Sequence, residues 1–116
     1  MINLDKYITN DFIRKSLMKS SKYITNEDEL RGYVLNILDG VYINAIFENS
    51  NLKRRFFDYI KYYDIDANII NCDSSLGRFC ESIEEEHNIN IFCNINRCYN
   101  KDILKIIQNT KGILIC

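Results

Sequence analysis

Val41-Tyr42-Ile43-Asn44-Ala45-Ile46-Phe47 is the run on which the fold turns. Just before it, Leu30, Tyr33, Val34, Ile37 and Leu38 recur at i, i+3, i+4, i+7 and i+8, the spacing of one helix face. Across 41–47 the period drops to two. Val41, Ile43, Ala45 and Phe47 alternate with Tyr42, Asn44, Ile46 and then Glu48, as in a strand with one better-buried face. Asp39-Gly40 supplies the break between the two patterns. Read as a strand, the run makes the chain α/β; continued as helix towards Leu52, it would leave an α+β fold with a smaller sheet. The alternation favours the strand.

Downstream, Glu48-Asn49-Ser50-Asn51 forms a turn, and Leu52, Phe56, Ile60 and Tyr63 mark a helix. A short apolar strand follows at 67–72, then a helix over 75–86 with Leu76, Phe79, Cys80 and Ile83 inward, then a strand over 88–95. A last helix at 101–109 buries Ile103, Leu104 and Ile107, and Gly112 ends it before a strand at 113–116. This β-α-β-α-β-α-β order with short connections predicts a mostly parallel four-stranded sheet built through right-handed crossovers, with flanking helices. Upstream, Asn26 and Glu29 form a capping-box signal for the helix that starts there. Leu4, Ile8 and Phe12, with Ile13 and Leu17 as a neighbouring stripe, place one helix or two short ones before Lys22. The expectation is therefore two N-terminal helices covering the sheet, in a single domain spanning 1–116.

Hydrophobic residues at 47% and charged residues at 27% are those of a folded globular chain, far from the disordered regime. No basic stretch near Met1 leads into an apolar run, and nowhere do 18 apolar residues follow one another, so a cytoplasmic protein with no membrane partner is expected. The five cysteines are an odd number, read as free thiols in a reducing compartment. Ile and Asn are abundant while Pro and Trp are absent, which resembles an AT-rich gene of the kind common in mobile elements, phages, viruses and low-GC bacteria.

One motif suggests chemistry. Cys72-Asp73-Ser74-Ser75-Leu76-Gly77-Arg78 has the Cys-x5-Arg spacing after a predicted strand and opening a predicted helix, and so resembles the phosphate-binding loop of cysteine-dependent phosphatases. The resemblance implies attack on phosphorus by the Cys72 thiolate, with the helix N-terminus (Ser74, Ser75, Gly77) and Arg78 holding the phosphate oxygens. No His precedes the Cys, Phe79 follows the Arg where Ser or Thr is usual, and Asp73 sets a carboxylate against a dianion. The competing reading makes Cys72 a buried strand end, Asp73 or Ser74 a helix cap, and Arg78 a solvated residue. Cys72, Cys80, His87, Cys93 and Cys98 lack the close pairs of a zinc site, and His87 beside Glu84, Glu85 and Glu86 reads as a helix-end cap or a partner of the helix dipole. Neither a metal nor a cofactor is expected, because no Gly-rich dinucleotide loop or Gly-Lys-Ser/Thr cradle is present.

Charge is distributed unevenly. Residues 56–95 hold eight carboxylates against Lys61 and Arg78, while the rest of the chain carries more cations than acids. Lys53-Arg54-Arg55 next to Phe56 and Phe57 is too short a basic run, beside too acidic a segment, for a direct nucleic-acid site. An acidic face built from Asp58, Asp64, Asp66, Glu81, Glu84, Glu85 and Glu86 around the aromatic anchors Tyr59, Tyr62 and Tyr63 would instead suit a basic protein partner. The sequence thus predicts a small inhibitor acting by stoichiometric occlusion: an immunity protein or antitoxin against a nuclease-type toxin, or a phage or viral counter-defence factor. The alternatives are a phosphatase or phosphate-binding protein using the Cys72 to Arg78 loop, and a homo-oligomeric scaffold pairing through the exposed aromatics and the strand at 113–116.

Overall fold

The computed structural model describes residues 10–116. Along them run α1 (Asp11–Lys19), β1 (Ser21–Ile24), α2 (Glu27–Leu38), β2 (Asn44–Phe47), α3 (Ser50–Tyr62), β3 (Ala67–Asn71), α4 (Leu76–Glu84), β4 (Ile89–Cys93), a 3-10 turn (Ile95–Arg97), α5 (Lys101–Gln108) and β5 (Ile113–Leu114). The architecture is the small α/β fold that the periodicity predicts, and the decisive run enters a sheet as β2. The stripe at Leu4 and Ile8 lies outside the described residues.

β1 pairs with β2, while β3, β4 and β5 form a second sheet, and every pairing is parallel. The two sheets meet along one seam. Ala45 bridges Ile115, the Phe47 N–H donates to the Cys116 carbonyl at 2.8 Å, and the Cys116 N–H donates to the Ala45 carbonyl at 3.0 Å. The Asn44 side-chain oxygen adds a bond by accepting from the Leu114 N–H at 2.9 Å. Side by side, the strands thus run β1-β2-β5-β4-β3. The last strand is central, which removes the strand edge that the homo-oligomer reading used beside the exposed aromatics; among the described residues the edges are β1 and β3.

Helices cover both faces. α1, α4 and α5 pack with Ile46, Ile70, Phe92 and Leu114, whereas α2 and α3 pack with Ala45, Phe47, Ile91, Ile113 and Ile115. The two helices before β2 therefore lie on opposite faces and do not jointly cover one. A sheet buried on both sides explains why its strands read as short, almost unbroken apolar runs. In the α2–α3 layer, the buried rings of Tyr33, Phe47 and Phe56 pack together, with centroids 5.4–6.4 Å apart. The Tyr33 hydroxyl donates to the Ile43 carbonyl, and burial pushes its phenol well above the usual range.

The sequence missed β1 and so predicted four strands. Only Ser20 separates β1 from α1, and four residues are too few for alternation to register. It also began β2 three residues early. Gly40 and Val41 are used to terminate α2: Gly40, at φ +79°, donates to the Ile37 carbonyl and the Val41 N–H to that of Asn36, closing a Schellman motif, and the strand starts only at Asn44. Asparagine has a structural role beyond gene composition, because Asn10, Asn26, Asn49 and Asn100 each cap a helix through the side-chain oxygen. At α2 the Glu29 carboxylate accepts from the Thr25 N–H, one residue before the cap, so the capping box is displaced. The cap of α4 is Ser75 instead of Asp73 or Ser74, and the helix ends at Glu84 instead of 86.

Gly112 does not end α5, which stops at Gln108 with Asn109 as its cap. It lets β5 approach β4: a Cβ there would lie 2.6 Å from the Phe92 ring and 2.7 Å from the Asn90 carbonyl oxygen. Gly112→Ala is therefore expected to lower unfolding stability by about 1–3 kcal/mol in urea titration. α3 ends in a second Schellman motif whose left-handed position is Asp64 at φ 50°, with the Asp64 N–H on the Lys61 carbonyl and the Ile65 N–H on that of Ile60. Asp64→Gly relieves that conformation and is expected to raise stability by about 0.5–1 kcal/mol in the same assay.

Candidate protein-binding surface

Because every strand pair is parallel, each helix returns the chain to the same end of the sheet, the amino ends of the strands. The connections 39–43, 63–66, 85–88 and 109–112 all lie there. They contain Asp39, Asp64, Asp66, Glu85 and Glu86 against His87 and one lysine, Lys111. Tyr62, Tyr63 and Glu84 stand at the helix ends that lead into them. Of the ten residues that the sequence singles out for partner binding, Tyr62, Tyr63, Asp64, Asp66, Glu84, Glu85 and Glu86 thus share one end. Asp58 and Tyr59 sit a turn back on α3, and Glu81 sits on α4, across the sheet from them.

His87 ties two of the connections together. Its Nδ1 lies 2.7 Å from the Asp66 carboxylate and its Nε2 3.4 Å from that of Glu85. The Asp66 contact, followed by that of Glu85, raises the imidazole pKa above its ordinary value. His87 is therefore a clamp between α3–β3 and α4–β4 and not the cap expected from its place in the sequence; Glu85 takes the cap position. Next to it is a shallow recess of about 310 Å³ lined by Tyr42, His87, Asn88, Asn90 and Lys111 among others. Tyr42 and Lys111 come together only through the parallel order of β2, β5 and β4, and no local pattern signals either.

On α3, Tyr59 stacks on Tyr63 at 6.1 Å and 12°, and Tyr62 meets Tyr63 edge-on at 4.9 Å and 88°. Glu27 at the start of α2 anchors the cluster. Its carboxylate accepts two hydrogen bonds from Arg55, at 2.8 and 2.9 Å, and one from the Tyr59 hydroxyl at 2.6 Å. Arg55, and then Tyr59, hold the Glu27 carboxyl down at about 2. The same bond raises the Tyr59 phenol. Tyr62 remains 79% exposed. Sequence reasoning missed Glu27 because its partners lie about 30 positions away on another helix.

The opposite end carries the Cys72–Arg78 loop. The strand-loop-helix context is present, but Cys72 is 2% exposed, its thiol packs in the core, and burial drives its pKa far upwards. This is not the setting of an attacking thiolate, which needs access and a lowered pKa. The loop also satisfies itself: Ser75 Oγ accepts from the Arg78 N–H, Asn71 Oδ1 accepts from the Asp73 N–H, and the Ser74 hydroxyl donates to the Asn71 carbonyl. Gly77 is exposed, and so is Arg78, as the competing reading expects of the arginine. A cleft of about 270 Å³ lined by Phe47, Glu48, Asn49, Ser50, Lys53, Asn96 and Cys116 lies where successive helices change faces, a common ligand position in open α/β sheets. Here Asn49 already caps the Leu52 N–H and Glu48 adds a carboxylate, so the cleft suits a phosphate poorly. Among the described residues, no three potential metal ligands converge, all five cysteines are free, and no helix is long and apolar enough to cross a membrane.

No protein-family model, no curated protein and no solved structure matches this chain.

The His87 clamp gives a signed pH dependence. A folded pKa raised above the unfolded value stabilises fully below about 6.5 and loses that contribution as pH rises through the raised value. The urea midpoint is expected to fall as pH rises from mildly acidic to mildly alkaline, and His87→Gln is expected to flatten that limb.

Proposed function

We propose that this chain is a small protein-binding module that neutralises a basic protein by stoichiometric occlusion, as an immunity protein or antitoxin does with a nuclease-type toxin. The observation that carries the reading is the shared position of Tyr62, Tyr63, Asp64, Asp66, Glu84, Glu85 and Glu86 at one end of the sheet. A surface of one sign speeds encounter with a partner of the other, while exposed tyrosines supply contact area at low conformational cost. Occlusion requires no catalytic set, and a buried Cys72 with a self-satisfied loop is compatible with a chain that works by contact alone. A phage or viral counter-defence factor would use the same surface in the same way.

The test leaves the Asp66–His87 clamp intact. Tagged wild-type chain and the triple variant Asp64→Lys, Glu84→Lys, Glu86→Lys are used to capture binding proteins from host lysate, and association with the recovered protein is then timed at several salt concentrations. The expected result is a basic protein bound one to one, with association at least ~10-fold slower and less salt-sensitive for the triple variant. Equal kinetics for the two chains would contradict the proposal.

A further inference from the structure

The outer stripe of α3 carries a carboxylate–tyrosine pair without the cation that its neighbour holds. Glu27 and Tyr59 together engage Arg55: the guanidinium makes two hydrogen bonds to the carboxylate, and its Cζ lies 6.0 Å from the centre of the Tyr59 ring. Asp58 and Tyr62, at i and i+4, set a second carboxylate and a second ring on adjacent turns. Asp58 is exposed and makes no hydrogen bond or ion pair among the described residues. Arg55, Asp58, Tyr59 and Tyr62 line an open recess of about 270 Å³. Its wall is ordered in advance, since Tyr62 rests edge-on against Tyr63, which stacks on the Tyr59 ring that Glu27 anchors.

From this geometry we infer that the recess is a binding site for an arginine side chain of a protein partner, its guanidinium lying over the Tyr62 ring and donating to the Asp58 carboxylate. The inference rests on the protein-binding reading above, and it names the side chain that a basic partner would insert. Arginine fits better than lysine because its planar, weakly hydrated guanidinium stacks on a ring and can bond a carboxylate through two N–H groups at once. Arg55 does not compete for the recess, since both of its bonded nitrogens are committed to Glu27, whose charge offsets its own. The internal Glu27–Arg55–Tyr59 contact is the same chemistry already formed within the chain.

The test titrates the isotopically labelled full chain with the capped tripeptides acetyl-Gly-Arg-Gly-amide, acetyl-Gly-Lys-Gly-amide and acetyl-Gly-Gln-Gly-amide, following the Tyr62 and Tyr59 ring signals and the Asp58 amide by NMR. The arginine peptide is expected to give saturable shifts at millimolar concentration, the lysine peptide weaker ones and the glutamine peptide none. Asp58→Asn and Tyr62→Leu should each weaken arginine binding about 3- to 10-fold, while Tyr62→Phe, which keeps the ring, should retain it. Both positions are solvent-facing in this stripe, and an unchanged melting temperature verifies that each variant folds. Equal responses to the arginine and glutamine peptides, or unchanged arginine binding in Tyr62→Leu, would overturn the inference. If partner capture still depends on Asp64, Glu84 and Glu86 in that case, the arginine site alone fails and the protein-binding reading stands.

Discussion

Parallel pairing across the β2–β5 seam is the constraint on which the rest of this structure depends. One bridge at Ala45 and Ile115, two main-chain hydrogen bonds and the Asn44 amide join a two-stranded sheet to a three-stranded one. A two-stranded unit has little independent stability, so β1 and β2 gain a buried environment only through this contact. Both cores cross it. Ile46 belongs with Leu114 on one face, and Ala45 and Phe47 belong with Ile113 and Ile115 on the other. Helices are then needed on both sides, α1, α4 and α5 against α2 and α3.

The surface follows from parallel pairing as well, here between β3 and β4. A chain that alternates helix and parallel strand delivers every return connection to one end, whichever face its helix covers. α3 and α4 cover opposite faces, yet Asp64, Asp66 and the acids at 84–86 finish as neighbours, and His87 fastens the two connections to each other. Asp58 and Glu81 occupy helix bodies and are separated by the sheet. The tyrosines have a different support: Glu27 on α2 holds Arg55 and Tyr59 on α3, which steadies Tyr63 and Tyr62 beyond them.

Much of the fold was legible because it is written locally. The stripe from Leu30 to Leu38, the Asp39-Gly40 stop and the change of period at β2 can be read without knowing any partner strand. β1 was not legible: four residues directly after a helix carry too little pattern, and β1 becomes a strand because β2 lies beside it. The start of β2 was misplaced because the Schellman motif uses Val41, which looks like strand in isolation. For the surface, the sequence identified the acids and tyrosines by type, but their convergence depends on strand order. His87 with Asp66, and Glu27 with Arg55, are pairings between elements distant in the chain, and charge runs do not reveal them.

Amide hydrogen exchange at the seam tests the central claim most directly. If the two sheets form one unit, the Phe47 and Cys116 N–H groups, each bonded across the seam, exchange as slowly as the interior amides of β4 such as Ile91. Rapid exchange at Phe47 and Cys116 while β4 stays protected would mean that the sheets are not joined there, and the account of one continuous β1-β2-β5-β4-β3 sheet would be contradicted.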